Sequence, residues 1–226
     1  LMDNALEAIH LLCEPVPAPK SKLEYQHYFC GNPEIEEALK ETEVRRVALY
    51  KATVALIRAY ANITDDMAGA GYSDREQEEI KGWVDYYLNL REEIRMASGE
   101  TLDMKAYEAD MRHLIDKFIQ ADEARPISAF GDLSLVEIIV DSGIAEAISS
   151  MPPGLQGNKQ AIAETIENNV RSKIIRDHLL DPAFFEEMSA VLNEIIKERR
   201  NNAISYEAYL KKIADLAARV QAGNST

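Results

Sequence analysis

Apolar positions recur at three- and four-residue intervals along almost the whole chain, the spacing of helices that bury one face. Residues 2–12 predict a short helix, broken by the closely spaced Pro15, Pro17 and Pro19, because proline lacks an amide donor and clashes with the preceding turn. Residues 13–32 then read as a loop or linker. Asn32-Pro33-Glu34 supplies an N-cap, a proline at the first helical position and a first-turn acid, opening a long helix that runs to about Asp65. Ile35, Leu39, Val47, Tyr50, Val54, Ile57 and Tyr60 form its buried stripe. At ~1.5 Å per residue this helix spans roughly 50 Å, the length of a domain spine.

Gly69-Ala70-Gly71 ends that region, and Ser73-Asp74-Arg75-Glu76 is a capping box that opens a helix with Ile80, Trp83, Tyr87, Leu90 and Ile94 inward. Ser98-Gly99 stops it. Asp103 caps the next helix, carrying Tyr107, Met111, Leu114, Ile115 and Phe118, and residues 122–133 make a polar connection with Pro126 and Gly131. Ser134 begins a short helix interrupted near Gly143 and closed by Met151-Pro152-Pro153-Gly154. Asn158 caps a helix through Ile162, Ile166, Val170 and Ile174. Asp181-Pro182 starts another with Phe185, Met188, Leu192 and Ile195 inward, and Ser205 caps the last, with Tyr209, Ile213, Leu216 and Val220 inward. There is no alternating run flanked by hairpin turns and no fixed-period repeat. The expected class is all-α: a multi-helix, bundle-like domain with one long spine helix and a C-terminal helical hairpin. Residues 1–32 read as a short helix plus a Pro-rich linker from a preceding region. Residues 33–226 read as the helical domain, either one body or two packed subdomains, 33–125 and 134–226.

Composition narrows the function. The 226 residues are enough to bury a sizeable core, and 46% hydrophobic with 28% charged residues is ordinary for a globular protein. The formal charge of −14 is uneven: residues 61–125 hold 8 Lys/Arg against 16 Asp/Glu, a net of −8, and residues 126–226 hold 10 against 14, a net of −4. A chain built to grip duplex phosphates carries the opposite balance, so a protein is the expected principal partner. No apolar run approaches the ~18 residues of a membrane span, and Leu1-Met2-Asp3 lacks the start of a signal peptide. Cys13 and Cys30 form no CxxC pair, which fits a reducing cytoplasm, and a start on Leu fits a piece of a longer chain.

Several fragments imitate catalytic motifs and fail on context. Asp122-Glu123-Ala124-Arg125 has the form of a Walker B box and Ser128-Ala129-Phe130 that of a helicase motif, but their surroundings have helical spacing and no phosphate-cradling GxxxxGK[ST] loop exists. Glu79-Ile80-Lys81 matches the ExK of a nuclease, yet it falls inside a capped helix and reads as a solvated face. Glu7-x-x-His10, Glu24-x-x-His27 and Asp110-x-x-His113 have di-iron spacing without the further glutamates such a bundle needs. Cys13, His27 and Cys30 lack a fourth zinc ligand. No Ser or Cys sits in a nucleophile motif, and His178 reads as a surface or cap residue. No catalytic, cofactor-binding or metal-binding residue is assigned.

The candidate interaction residues are basic and aromatic. Lys197, Arg199 and Arg200 occupy a last helical turn, near Lys211 and Lys212 if the final two helices pack antiparallel. They suit the C-terminal helix dipole on one reading, and a contact patch for an acidic partner or passing DNA on the other. Tyr206 and Tyr209 add amphipathic area, although Tyr209 also fits the core stripe.

The stretch Met188-Ser189-Ala190-Val191-Leu192-Asn193-Glu194-Ile195-Ile196-Lys197-Glu198-Arg199-Arg200, followed by Asn201 to Leu210, closely resembles the last segment of the R (motor) subunit of type I restriction-modification enzymes. Phe29-Cys30-Gly31, Leu49-Tyr50-Lys51, Arg58-Ala59-Tyr60-Ala61-Asn62-Ile63, Ser98-Gly99, Tyr107 to Asp116 and Ser128 to Leu135 resemble that family in the same order, together covering most of residues 25–222. The resemblance implies a C-terminal helical domain. By the same resemblance it would pack on the motor domains of its own subunit and help join them to the methyltransferase and specificity subunits. The family's nuclease and motor motifs, with ATP and Mg, would lie before residue 1. The expectation is therefore a non-catalytic assembly and coupling domain of an ATP-dependent DNA translocase and endonuclease. The alternative is a helical element that guides duplex DNA through the motor.

Overall fold

The computed structural model describes residues 1–35, 37–100 and 133–223. Among them are ten α-helices and no strand: α1 Met2–Cys13, α2 Lys22–Cys30, α3 Ala38–Ile63, α4 Asp74–Ser98, α5 Leu135–Ser142, α6 Ile144–Ser149, α7 Pro153–Gln156, α8 Lys159–Asp177, α9 Pro182–Arg200 and α10 Tyr206–Ala222. The all-α, bundle-like architecture is as expected. The helix expected after Asp103, its connection 122–133, the Walker-like and helicase-like fragments and Asp110/His113 lie outside the described residues. No described helix is long and apolar enough to cross a membrane.

Capping chemistry sets most helix starts. Ser73 and Glu76 close a capping box at α4, and Ser134 and Glu137 do the same at α5. The Asn158 carboxamide oxygen accepts from Gln160 N–H (2.8 Å) and Ala161 N–H (3.2 Å), Asp181 accepts from Phe184 N–H (3.1 Å), and Ser205 from Ala208 N–H (3.1 Å).

Two local expectations need correction. Residues 13–32 are not all linker: Ser21 and Glu24 form a further capping box and open α2, whose Phe29 and Cys30 are fully buried. The three prolines obscured that signal. The spine helix is also shorter. Asn32 Oδ1 accepts from Glu34 N–H at 3.1 Å, folding Asn32–Ile35 into a turn, and the helix proper begins at Ala38. Ile35 is consequently exposed and Val47 only half-buried, while Leu39, Tyr50, Val54, Ile57 and Tyr60 are buried as expected. The 26 residues of α3 span about 39 Å.

α1 packs on α3, and α2 lies against α3 and α4. α9 and α10 form the C-terminal hairpin, with α5 against α10. Both groups meet on α8, which touches α2, α4, α5, α7, α9 and α10. Every residue from Ala161 to Arg171 is buried, including Glu164, Thr165, Glu167, Asn168, Asn169 and Arg171. A helix enclosed on all sides is ordinarily apolar all round. Here polar residues occupy the positions between Ile162, Ile166 and Val170; most are matched by neighbours, while the Asn168 carboxamide has no hydrogen-bond partner among the described residues. Gln26 Nε2 donates to Thr165 Oγ1 (3.2 Å), Asn169 Nδ2 to Met96 O (2.7 Å), Ser172 Oγ to Ser98 O (2.8 Å), and Arg171 Nη2 to Asn193 Oδ1 (2.6 Å) and Pro33 O (3.1 Å). Gly99 ends α4 in the left-handed region (φ 66°), so close to α8 that a β-carbon there would lie 2.7 Å from Asn169 Cα.

Candidate interaction site

The last turn of α9 and the first turn of α10 meet the N-terminal half of α8, and this corner contains the six residues singled out in the sequence. Lys197 and Lys211 are exposed. Arg199 turns inward: its Nε and Nη2 donate to the two carboxylate oxygens of Glu167 at 2.7 and 3.0 Å. The Glu167 side chain is 0% exposed and that of Arg199 14%, so this is a buried, forked ion pair. The guanidinium also lies 5.6 Å from the Tyr209 ring centroid. Arg200 Nη2 donates to Asn32 Oδ1 (2.7 Å) and approaches Glu164 Oε1 (3.4 Å), while its Nη1 pairs with Glu34 at 3.1 Å. Lys212 pairs with Glu198 of α9 at 2.5 Å. The two arginines thus clamp α9 to α8 and to the Asn32–Glu34 turn.

Tyr206 is half-buried and stacks on Tyr209 at 6.0 Å between centroids; Lys159 Nζ lies 4.9 Å from the Tyr206 ring centroid. Between these groups is a cleft of about 440 Å³ walled by Lys159, Gln160, Arg199, Arg200, Asn202 and Tyr206. Lys159, Gln160 and Asn202 escaped the sequence reading. The available signal was Asn158, whose capping role fixes where the first turn of α8 begins.

Electrostatics follow burial. Burial pushes the Glu167 carboxyl up, against the opposing pull of Arg199. Burial also pushes Glu164 up, but hydrogen bonds from His27 (2.6 Å) and Gln160 (3.0 Å), with the charges of His27 and Arg200, outweigh it and hold this carboxyl below its usual range. Burial raises the Cys13 thiol to about 11 and the Cys30 thiol to about 12, so both are protonated thiols at neutral pH. Of the paired residues weighed as metal ligands, His10 packs edge-on to Trp83 at 4.7 Å, Glu24 caps α2 and His27 is bound to Glu164. Among the described residues no group of three or more His, Cys, Asp and Glu side chains has metal-binding geometry.

A second surface was missed entirely. At the other end of α8, Ile174, Ile175, Leu179, Phe185 and Ala190 line a groove of about 470 Å³. Ile175 is 50% exposed, Leu179 89% and Leu180 82%. α8 stops at His178, and the turn that reaches Asp181 holds both leucines away from the core. His178 caps α8 and sits 3.7 Å from Glu186, beside exposed Glu187 and Glu194 along α9. On its α9 side the groove is lined by Glu186, Ser189 and Asn193, and Glu187 pairs with Arg219 at 3.0 Å. Its sequence signal was the Leu179-Leu180 pair in an interhelical turn, where polar residues are usual.

Comparison with protein-family models, with characterised proteins and with solved structures yields no match, so the functional reading rests on the residues and their geometry.

Proposed function

We propose that this chain is a non-catalytic helical assembly and coupling domain of the R subunit of a type I restriction enzyme. In this reading the parent protein carries ATP-dependent DNA translocation and cleavage, and the domain docks it onto the methyltransferase–specificity core. The ordered family resemblance supports the choice of parent. The observation that carries the docking role is the apolar lip of Ile175, Leu179 and Leu180 beside its groove, a surface of the kind proteins cover with partners. Glu186 lines the groove on a chain of net charge −14, so the matching partner surface is apolar with a basic flank.

Size-exclusion chromatography of the chain mixed with a methyltransferase–specificity core tests this reading. A shifted, co-eluting peak is expected for the wild type, and Leu179→Glu/Leu180→Glu should abolish it while leaving the thermal melt of the free chain unchanged. Separate peaks for the wild type at concentrations well above micromolar would overturn the reading.

A further inference from the structure

The cleft at the opposite end of α8 is polar where the groove is mainly apolar, and the two share no lining residue. We propose that the cleft is a binding site for a phosphate group. All six wall residues are polar, three carry cationic heads (Lys159, Arg199 and Arg200), and no carboxylate is among them. Glu164 and Glu167 hold the arginines from the core side, where both carboxylates are almost completely enclosed. The forks are thereby preorganised; half-exposed Glu34 also pairs with Arg200, so it is a ligand entering beside Lys159 and Arg199 that meets cations before the enclosed acids. Lys159 forms no ion pair among the described residues; its ammonium rests over the Tyr206 ring on a flexible stem.

Two atoms of the wall residues point to an acceptor-rich ligand. Arg200 Nε and the Tyr206 hydroxyl are closed off from solvent and have no hydrogen-bond partner among the described residues. Buried donors in proteins are nearly always paired. Both atoms are closed to solvent in this structure, so a phosphate oxygen would accept from them once the Arg200 and Tyr206 side chains turn toward the cleft. Lys159, Asn202 and the second Nε2 hydrogen of Gln160 are left for the remaining oxygens. A tetrahedral phosphate offers acceptors in more directions than a planar carboxylate, which suits donors arriving from α8, α9 and the α9–α10 turn. The volume of about 440 Å³ lies in the range of small-ligand pockets and leaves room for the organic part of a phosphate ester. The same chemistry could be presented by a free nucleotide or by a nucleic-acid backbone.

Amide NMR titrations of the 226-residue chain with pyrophosphate, AMP and a short DNA duplex test the site. Saturable shifts at Lys159, Gln160 and Asn202 are expected. Lys159→Gln/Tyr206→Phe should weaken binding about tenfold or more, and Lys211→Gln should not. Binding of pyrophosphate and AMP without the duplex would identify a free phosphate ester. Duplex binding that falls steeply with salt would identify the backbone. Absence of saturable shifts up to about 10 mM of any ligand, or equal affinity in the double variant, would overturn the proposal.

Discussion

Replacing Arg199 with methionine removes the cation that pairs with Glu167 while keeping an unbranched apolar stem of similar reach. The Glu167 carboxylate is fully enclosed and accepts two hydrogen bonds from that guanidinium, at 2.7 and 3.0 Å. Breaking a buried pair from one side strands a charge, and such losses run to ~3–5 kcal/mol. For a chain of this size each kcal/mol moves the melting temperature by roughly 2–4 °C. Calorimetry at pH 7 should therefore show Tm falling by about 6–20 °C. Glu167→Gln/Arg199→Met should recover most of the loss, since a neutral amide is far cheaper to bury than an unpaired carboxylate.

The pH dependence provides an independent check. Burial already pushes Glu167 up, and without Arg199 only the smaller pull of the Tyr209 hydroxyl offsets that push. A carboxyl whose folded pKa lies above its unfolded value of ~4.3 costs little below that value. Its cost grows as pH rises toward the folded pKa and is constant above it. The deficit of Arg199→Met should thus be largest near neutrality and shrink on approaching pH 4.5. A loss under about 1 kcal/mol at pH 7 would refute the reasoning, as would a deficit that stays flat from pH 5 to 8.

Two further outcomes follow from α8. Gly99→Ala should cost more than about 2 kcal/mol in urea melts, because it combines a left-handed backbone with a β-carbon 2.7 Å from Asn169 Cα. Glu164, held below the usual carboxylate range, contributes stability that is present above its unfolded pKa and is lost as pH falls through the folded one. Glu164→Gln should therefore be less stable than wild type at pH 7, with the gap narrowing in melts run toward pH 4.

Much of this architecture could be read directly along the chain. Ser73, Ser134, Asn158, Asp181 and Ser205 each announce a helix start through side-chain oxygens that find backbone N–H groups, and these are local events. The inward positions of α9 and α10 follow from spacing alone, because each helix has one wet face. α8 is where this logic gives out. Its isoleucines and valine occupy one stripe, so Glu164, Glu167, Asn168 and Arg171 look solvated; their burial depends on Gln26, His27, Asn193 and Arg199, which are remote in sequence. The basic corner shows the same limit. Arg199 and Arg200 stand beside Lys197 in sequence and look equally exposed, but only the helical phase and the place of Glu164 and Glu167 decide which cations turn inward. The apolar lip was overlooked because Leu179 and Leu180 lie outside any periodic stripe.

That same enclosed helix governs how the two surfaces relate. Gln160 walls the cleft and Ile175 walls the groove, fifteen residues apart on α8 and therefore about 22 Å along its axis. Between them every turn is held by partners from at least one neighbouring helix: His27 on Glu164, Arg199 on Glu167, Asn193 on Arg171. Sites this far apart that share no contacts contribute independently unless an element joining them has two arrangements. A shift of α8 to another register would break those three pairs. Leu179→Glu/Leu180→Glu should therefore leave phosphate affinity at the cleft unchanged, and Lys159→Gln should leave co-elution with a partner core unchanged. Cross-effects larger than about twofold in either direction would mean that α8 shifts as a unit, and that the polar ring around it is a switch rather than a lock.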